Sequence, residues 1–245
     1  VGSEMCIRDR GWGTSFCWWP NRIGYLDELS EQAAKLFFDP KEGLGLNIIR
    51  YNIGGGDDPT HHHITRTDSM VPGYAINPSH DANGYHWSYD WNADQNQRNV
   101  LMKVAECYGK DLIVEGFSNS PPYFMTNSGC SSGSVNAGEN NLREDAYGAF
   151  ASYLADVAQH FSKEWGIHFQ SMTAMNEPDT EYWHALSDKQ EGCHFDSGES
   201  QSVMIIALRE ALDERGLNDI LISGTDETGI NCQINSINSC LLYTS

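Results

Sequence analysis

Short apolar runs rich in β-branched residues alternate along this chain with segments whose apolar residues recur every three or four positions. That alternation constrains the fold more than any other feature. Neighbouring parallel strands need a connection of a dozen or more residues, and an amphipathic helix supplies one while covering the sheet. Residues 11–17, 46–53, 112–117, 167–175 and 220–223 read as strands. Residues 26–38, 95–108, 143–165 and 200–215 read as the helices between them. In the third helix, Tyr147, Phe150, Leu154, Val157, Phe161 and Trp165 share one face, and Gly166 stops it. Residues 57–90 are polar and read as one long loop. The order βαβαβαβαβ predicts a parallel sheet with crossover helices.

Loop lengths then favour one parallel architecture over another. Connections that follow strands are long and aromatic-rich, while those that precede strands are short. Function gathered at the C-terminal ends of strands suits a (β/α)₈ TIM barrel. A dinucleotide fold would place GxGxxG between its first strand and helix. GWGTSF does not supply it, and Gly54-Gly55-Gly56 lacks the third glycine and an immediate helix.

The chain carries 34 acidic and 15 basic side chains, a formal net charge of −19. So acidic a surface repels phosphates, which argues against nucleic acid or an anionic membrane as partner. No apolar run approaches the roughly 20 residues of a membrane span. The two ends stand apart. Met5–Arg10 and Cys240–Ser245 back-translate to reverse-complementary strings that resemble a transposon-end sequencing tag. Residues 1–10 and 240–245 are therefore expected to be translated adapter, with one native domain over 11–239. Within that span Cys17, Cys107, Cys130, Cys193 and Cys232 show no zinc-finger spacing. Cys130 and Cys193 fall in loops after the third and fourth strands, where a disulfide or two separate thiols would both fit.

The sharpest chemical signal is Met175-Asn176-Glu177-Pro178, directly after the fourth strand. A carboxylate there can protonate a leaving oxygen while the preceding carboxamide holds a sugar hydroxyl. Taken alone, Glu177 could equally be a solvated loop residue ahead of a helix-starting proline. Arg50 sits inside an apolar strand, where a guanidinium demands a carboxylate or a bound ligand. Trp12, Phe16, Trp18, Trp19, Tyr51, Trp87, Trp91, Tyr123, Phe124, Tyr182 and Trp183 are expected to crowd the same face. Aromatic faces stack on pyranose rings, so an acid among them suggests carbohydrate. Asp226 and Glu227, after the fifth strand, are secondary carboxylates that bind substrate or cap a helix. No cofactor is indicated, and no metal: His61-His62-His63 lacks ligand spacing and a nearby Cys or Glu to complete a set.

Five ordered blocks, GWGTSFCWWP, LGLNIIRYNIGGGDDPTHHHITRTDS, LIVEGFSNSPPYFMTNSG, MTAMNEPDTEYW and QEGCHF, resemble glycoside hydrolase family 30, most closely its endo-β-1,6-galactanase-like branch. The resemblance implies a (β/α)₈ barrel with flanking β-structure, a retaining mechanism, and a polysaccharide substrate such as β-linked galactan. It assigns Glu177 as general acid/base, with Asn176 contacting the sugar and Arg50 supporting the carboxylates. Trp12, Trp18, Asn119, Tyr123 and Trp183 would line the substrate cleft. Secretion or export to a periplasm follows from the family, and a monomer is expected.

The family places its nucleophile after the seventh strand. Four βα units here occupy roughly 210 residues, so eight would need about 400. The chain is thus expected to be an incomplete barrel of about five strands without the nucleophile, inactive by itself. Neighbouring readings are a β-1,6-glucanase or xylanase of the same clan, or a non-catalytic carbohydrate-binding barrel.

Overall fold

A computed structural model describes residues 10–241. Almost all of the adapter-like ends therefore lies outside the described residues. In chain order the elements are β1 (Gly13–Ser15), α1 (Trp19–Ile23), α2 (Asp27–Phe38), β2 (Ile48–Asn52), β3 (Ala75–Asp81) and β4 (Gly84–Tyr89). They continue as α3 (Gln95–Tyr108), β5 (Ile113–Phe117), a 3₁₀ turn (Tyr123–Met125), α4 (Tyr147–Trp165), β6 (Ser171–Thr173), α5 (Glu199–Glu214), β7 (Leu221–Ile222) and α6 (Ile230–Leu241).

Strands β1, β2, β5, β6 and β7 form one sheet in that order, every pairing parallel. The expected alternation is borne out, and α3 matches its predicted bounds. Strand alternation then divides the sheet into two faces. Ile49 and Val114 lie side by side in register and are almost fully buried. Tyr51, on the same face, meets Phe161 of α4 edge-on at 5.1 Å. Phe150, Leu154, Val157 and Phe161 of α4 are all buried, as their spacing requires. Removing a ring such as Phe161 from this packing would cost about 3–5 kcal/mol.

The opposite face carries a polar row. Ser15 is in register with Arg50, Arg50 with Glu115, and Glu115 with Ser171. A charged row inside a parallel sheet is expensive unless its members pair with each other, and these do.

Residues 57–90 are not one loop. They include the antiparallel hairpin β3–β4, turned through Ala82-Asn83 with Gly84 at φ 109°. Asn83-Gly84 followed by alternating Tyr85, Trp87 and Tyr89 is the local signal for it. The hairpin docks on α4, where Tyr89 donates to Asp156 at 2.5 Å and Trp91 stacks on His160 at 3.7 Å. No helix among the described residues is long and apolar enough to cross a membrane. Cys130 and Cys193 are separate buried thiols rather than a bridge. Burial pushes the Cys193 thiol up to about 12.

Candidate active site

Asn176 and Glu177 emerge three and four residues past the C-terminal end of β6. Glu177 takes φ 49°, a left-handed conformation uncommon for a residue with a Cβ and unusual before proline. Surrounding bonds hold it there. Its N–H donates to the Asp226 carbonyl at 2.9 Å. Its carbonyl accepts from Thr180 Oγ1 at 2.7 Å and from Trp183 Nε1 at 3.1 Å. Its side-chain Oε2 accepts from the Tyr182 hydroxyl. A strained residue so thoroughly determined by its neighbours is a mark of a functional position.

Arg50 organises the centre. Its Nη1 and Nη2 each donate to Asn176 Oδ1 at 3.2 Å, and its Nε donates to Glu115 Oε1 at 3.2 Å. Nη2 also pairs with Asp226 Oδ2, and the guanidinium carbon lies 3.6 Å from the centre of the Phe117 ring. Ser171 Oγ donates to the other Glu115 oxygen at 2.9 Å. Burial raises the Asp226 carboxyl above its ordinary range, while Arg50 pulls it back down.

Around this centre lies a cleft of about 520 Å³, lined among others by Ser15, Trp18, Arg50, Asn119, Asn176, Glu177, Tyr182 and Trp183. Asn119 is 3% exposed, and its Nδ2 has no hydrogen-bond partner. Trp18 Nε1 is likewise buried without a partner. Both are buried donors left unpaired on residues that line the cleft. Ser187, Lys189 and Gln190 complete one wall.

The structure thus gathers Glu177, Asn176, Arg50, Trp18, Asn119 and Trp183 around one cleft, and places three other expected residues elsewhere. Trp12 precedes β1 and pairs with Asn47 ahead of β2, so it lies at the N-terminal end of the sheet, 77% exposed and away from Glu177. Tyr123 sits in the 3₁₀ turn, outside the residues that line the cleft. Glu227 turns away: its oxygens accept from Gln201 Nε2 at 3.0 Å, Ser236 Oγ at 2.8 Å and the Asp179 N–H at 3.1 Å. That carboxylate ties α5, α6 and the loop after β6 together.

The aromatic crowd also divides. Phe16 and Tyr51 are fully buried in the core, and Trp87 and Trp91 pack against it, because strand alternation and the hairpin turn them inward. Trp18, Tyr182 and Trp183 are the ones that reach the cleft.

Two acids escaped the sequence reading. Glu115 was legible as the lone charge in an apolar strand, the complement of Arg50. Glu191, within QEGCHF, is 2% exposed and meets the Gly55 and Gly56 N–H groups, and burial pushes it well above the carboxylate range. Its neighbour Gly192 has to be glycine, since a Cβ there would lie 2.0 Å from the Trp183 ring. His61 and His63 do have partners nearby: Asp57 and Cys130 approach them, contrary to the expectation that nothing completes that set.

Comparison with known proteins agrees with the geometry. Residues 10–231 match the family model described as O-glycosyl hydrolase family 30. An endo-β-1,6-galactanase of Hypocrea rufa is 38% identical over 89% of this chain and 47% of its own length. An exo-β-1,6-galactobiohydrolase of Bifidobacterium longum subsp. longum is 27% identical over 89% of this chain and 20% of its own. The chain therefore spans half or less of the curated relatives it matches. Among solved structures, a conserved exported protein from Bacteroides fragilis superposes with a TM-score of 0.76 at 26% identity, covering 89% of this chain and 44% of that one. The catalytic domain of xylanase C from Talaromyces cellulolyticus gives 0.70 at 20% identity, covering 96% of this chain and 49% of that domain, and shares the fold. With its ordered motifs, its parallel sheet and a family match across most of its length, this chain belongs to glycoside hydrolase family 30.

Proposed function

We propose that this chain is the acid/base half of a retaining glycosidase that cleaves β-1,6-linked galactan within a polysaccharide. One observation carries the reading. Glu177 stands in a cleft of sugar-binding size, beside an asparagine whose orientation Arg50 dictates. Glu177 protonates the leaving glycosidic oxygen as a second carboxylate attacks the anomeric carbon. It then takes a proton from the water that breaks the glycosyl ester. Asn176, Asn119 and the Trp18 and Trp183 rings position the sugar.

The nucleophile comes from elsewhere in the complete enzyme. Glu227 has its oxygens committed to structural bonds, and Asp226 is neutralised by Arg50. In this reading residues 11–239 are part of an incomplete (β/α)₈ barrel, with adapter-derived ends at 1–10 and 240–245. The parent enzyme is secreted or periplasmic.

Glu177→Gln in the complete enzyme tests the acid role against a panel of glycans. Hydrolysis of β-1,6-galactan should fall by about 10²–10⁴-fold. Glycosylation by substrates with very good leaving groups should be spared, because they need no protonation. Equal loss on both substrate types would remove Glu177 from the acid role. Preference for β-1,6-glucan or xylan would redirect the substrate.

A further inference from the structure

Away from the catalytic carboxylates, the loop after β2 meets the loop after β5. Asp57, His61, His63 and Cys130 bring a carboxylate oxygen, two imidazole nitrogens and a thiol sulfur within 4.8 Å of one another. His61 Nδ1 is 3.4 Å from Asp57 Oδ1, His63 Nδ1 is 3.3 Å from Asp57 Oδ2, and His63 Nε2 is 3.5 Å from Cys130 Sγ. Tetrahedral zinc, with bonds of about 2.0–2.3 Å, sets neighbouring ligand atoms about 3.3–3.7 Å apart. The His61–Asp57 spacing falls in that range. The two His63 distances involve different ring nitrogens, of which one would ligate. With one atom from each residue the four lie within 4.8 Å of one another, a modest contraction away from such a tetrahedron.

Hydrogen bonding alone does not account for the cluster. The His63 side chain is 9% exposed, yet its Nδ1 makes no hydrogen bond despite the nearby carboxylate. A buried ring nitrogen without a partner is costly, and a metal bond relieves it. The ligand atoms also have the outer contacts of a metal site. The Ser131 N–H donates to Asp57 Oδ1 at 3.1 Å and fixes the carboxylate. The Leu186 N–H donates to Cys130 Sγ at 3.3 Å, an arrangement suited to a sulfur carrying negative charge. A pocket of about 260 Å³ bordered by Asp57, His61 and His63 gives an entry path.

We propose that Asp57, His61, His63 and Cys130 form a closed four-ligand site for a divalent transition metal, zinc by its mixed nitrogen, sulfur and oxygen donors. With all positions taken by protein, the ion is structural. It fastens the loop after β2 to the loop after β5, and through Cys130 and Ser132 it braces Leu186 and Ser187, whose N–H groups bond those two side chains. Ser187, Lys189 and Gln190 belong to the cleft wall, so the metal stiffens the rim of the substrate site.

The test uses the full chain, stripped with a chelator and titrated with Zn²⁺ against a chromophoric competitor. One equivalent should bind, and Cys130→Ser and His61→Ala should each weaken it by at least about tenfold. His61 is 26% exposed, so its truncation is the variant that should still fold. Co²⁺ in place of zinc should give a thiolate-to-metal charge-transfer band that Cys130→Ser abolishes. Zinc should also shield Cys130 from alkylation and raise the melting temperature of the wild type but not of His61→Ala. A folded wild-type chain that binds well under one equivalent would overturn the proposal. So would unchanged affinity in both variants. None of these readouts depends on glycan hydrolysis.

Discussion

Both Nη atoms of Arg50 donate to Oδ1 of Asn176, each at 3.2 Å. With its carbonyl oxygen tied to the guanidinium, the Asn176 amide has its NH₂ group left for a ligand, so its orientation is set by the protein before substrate arrives. The same guanidinium pairs with Glu115 and Asp226, which links strands β2 and β5 to the loops after β6 and β7.

Arg50→Lys keeps the charge but cannot reproduce this planar fork. Turnover by the complete enzyme is expected to fall about 10–100-fold, because the amide and carboxylates lose their fixed geometry. Steady-state kinetics alongside a thermal melt would check it. A fall in activity no greater than the loss of folded protein would count against the positioning role.

Tyr182 donates its hydroxyl to Glu177 Oε2. Tyr182→Phe should lower kcat on natural glycan by about tenfold, in the range of one charge-assisted hydrogen bond. Loss on substrates with excellent leaving groups should be smaller. Equal loss on both would mean that Tyr182 binds sugar instead of orienting the acid.

Asp94 is buried, and its carboxyl is pushed up to about 7, chiefly by desolvation, against the pull of hydrogen bonds from Tyr51 and Gln97. Because its native value is raised, the neutral form favours folding. Its contribution is complete below its ordinary 3.8 and is lost as pH rises toward 7. Asp94→Asn should therefore flatten the stability profile across that window, gaining most relative to wild type near neutrality. Urea midpoints measured from pH 4.5 to about 7.5 would show it, and parallel profiles for the two proteins would refute it.

Leu221 in β7 is 59% exposed, and Ile230, Ile234 and Ile237 in α6 are 80%, 51% and 43% exposed. With β1 and β7 as the outer strands of the described sheet, apolar residues and unpaired strand edges invite association. The 245-residue chain is expected to self-associate and to show no hydrolysis above background. Light scattering and a reducing-sugar assay are the checks. A monodisperse chain that cleaves β-1,6-galactan would move the nucleophile role to Asp226.

The alternation of strands and helices, the bounds of α3, and the placing of Glu177 after a strand were legible because each rests on local periodicity and chain direction. Arg50 announced an unseen partner, since a lone charge in an apolar strand must be compensated. The register that pairs it with Glu115, the burial of Tyr51, the turning away of Glu227 and the exile of Trp12 were not legible. Each depends on strand register, on which face a residue takes, or on which end of a strand it occupies. The meeting of Asp57, His61, His63 and Cys130 is the clearest case. Asp57, His61 and His63 come from one loop and Cys130 from another, and spacing along a chain carries no information about loops that a sheet brings together. Sequence by itself determined the kind of fold and the position of Glu177 just past a strand. Tertiary structure alone decided which side chains share its cleft, because shared position is a property of packing.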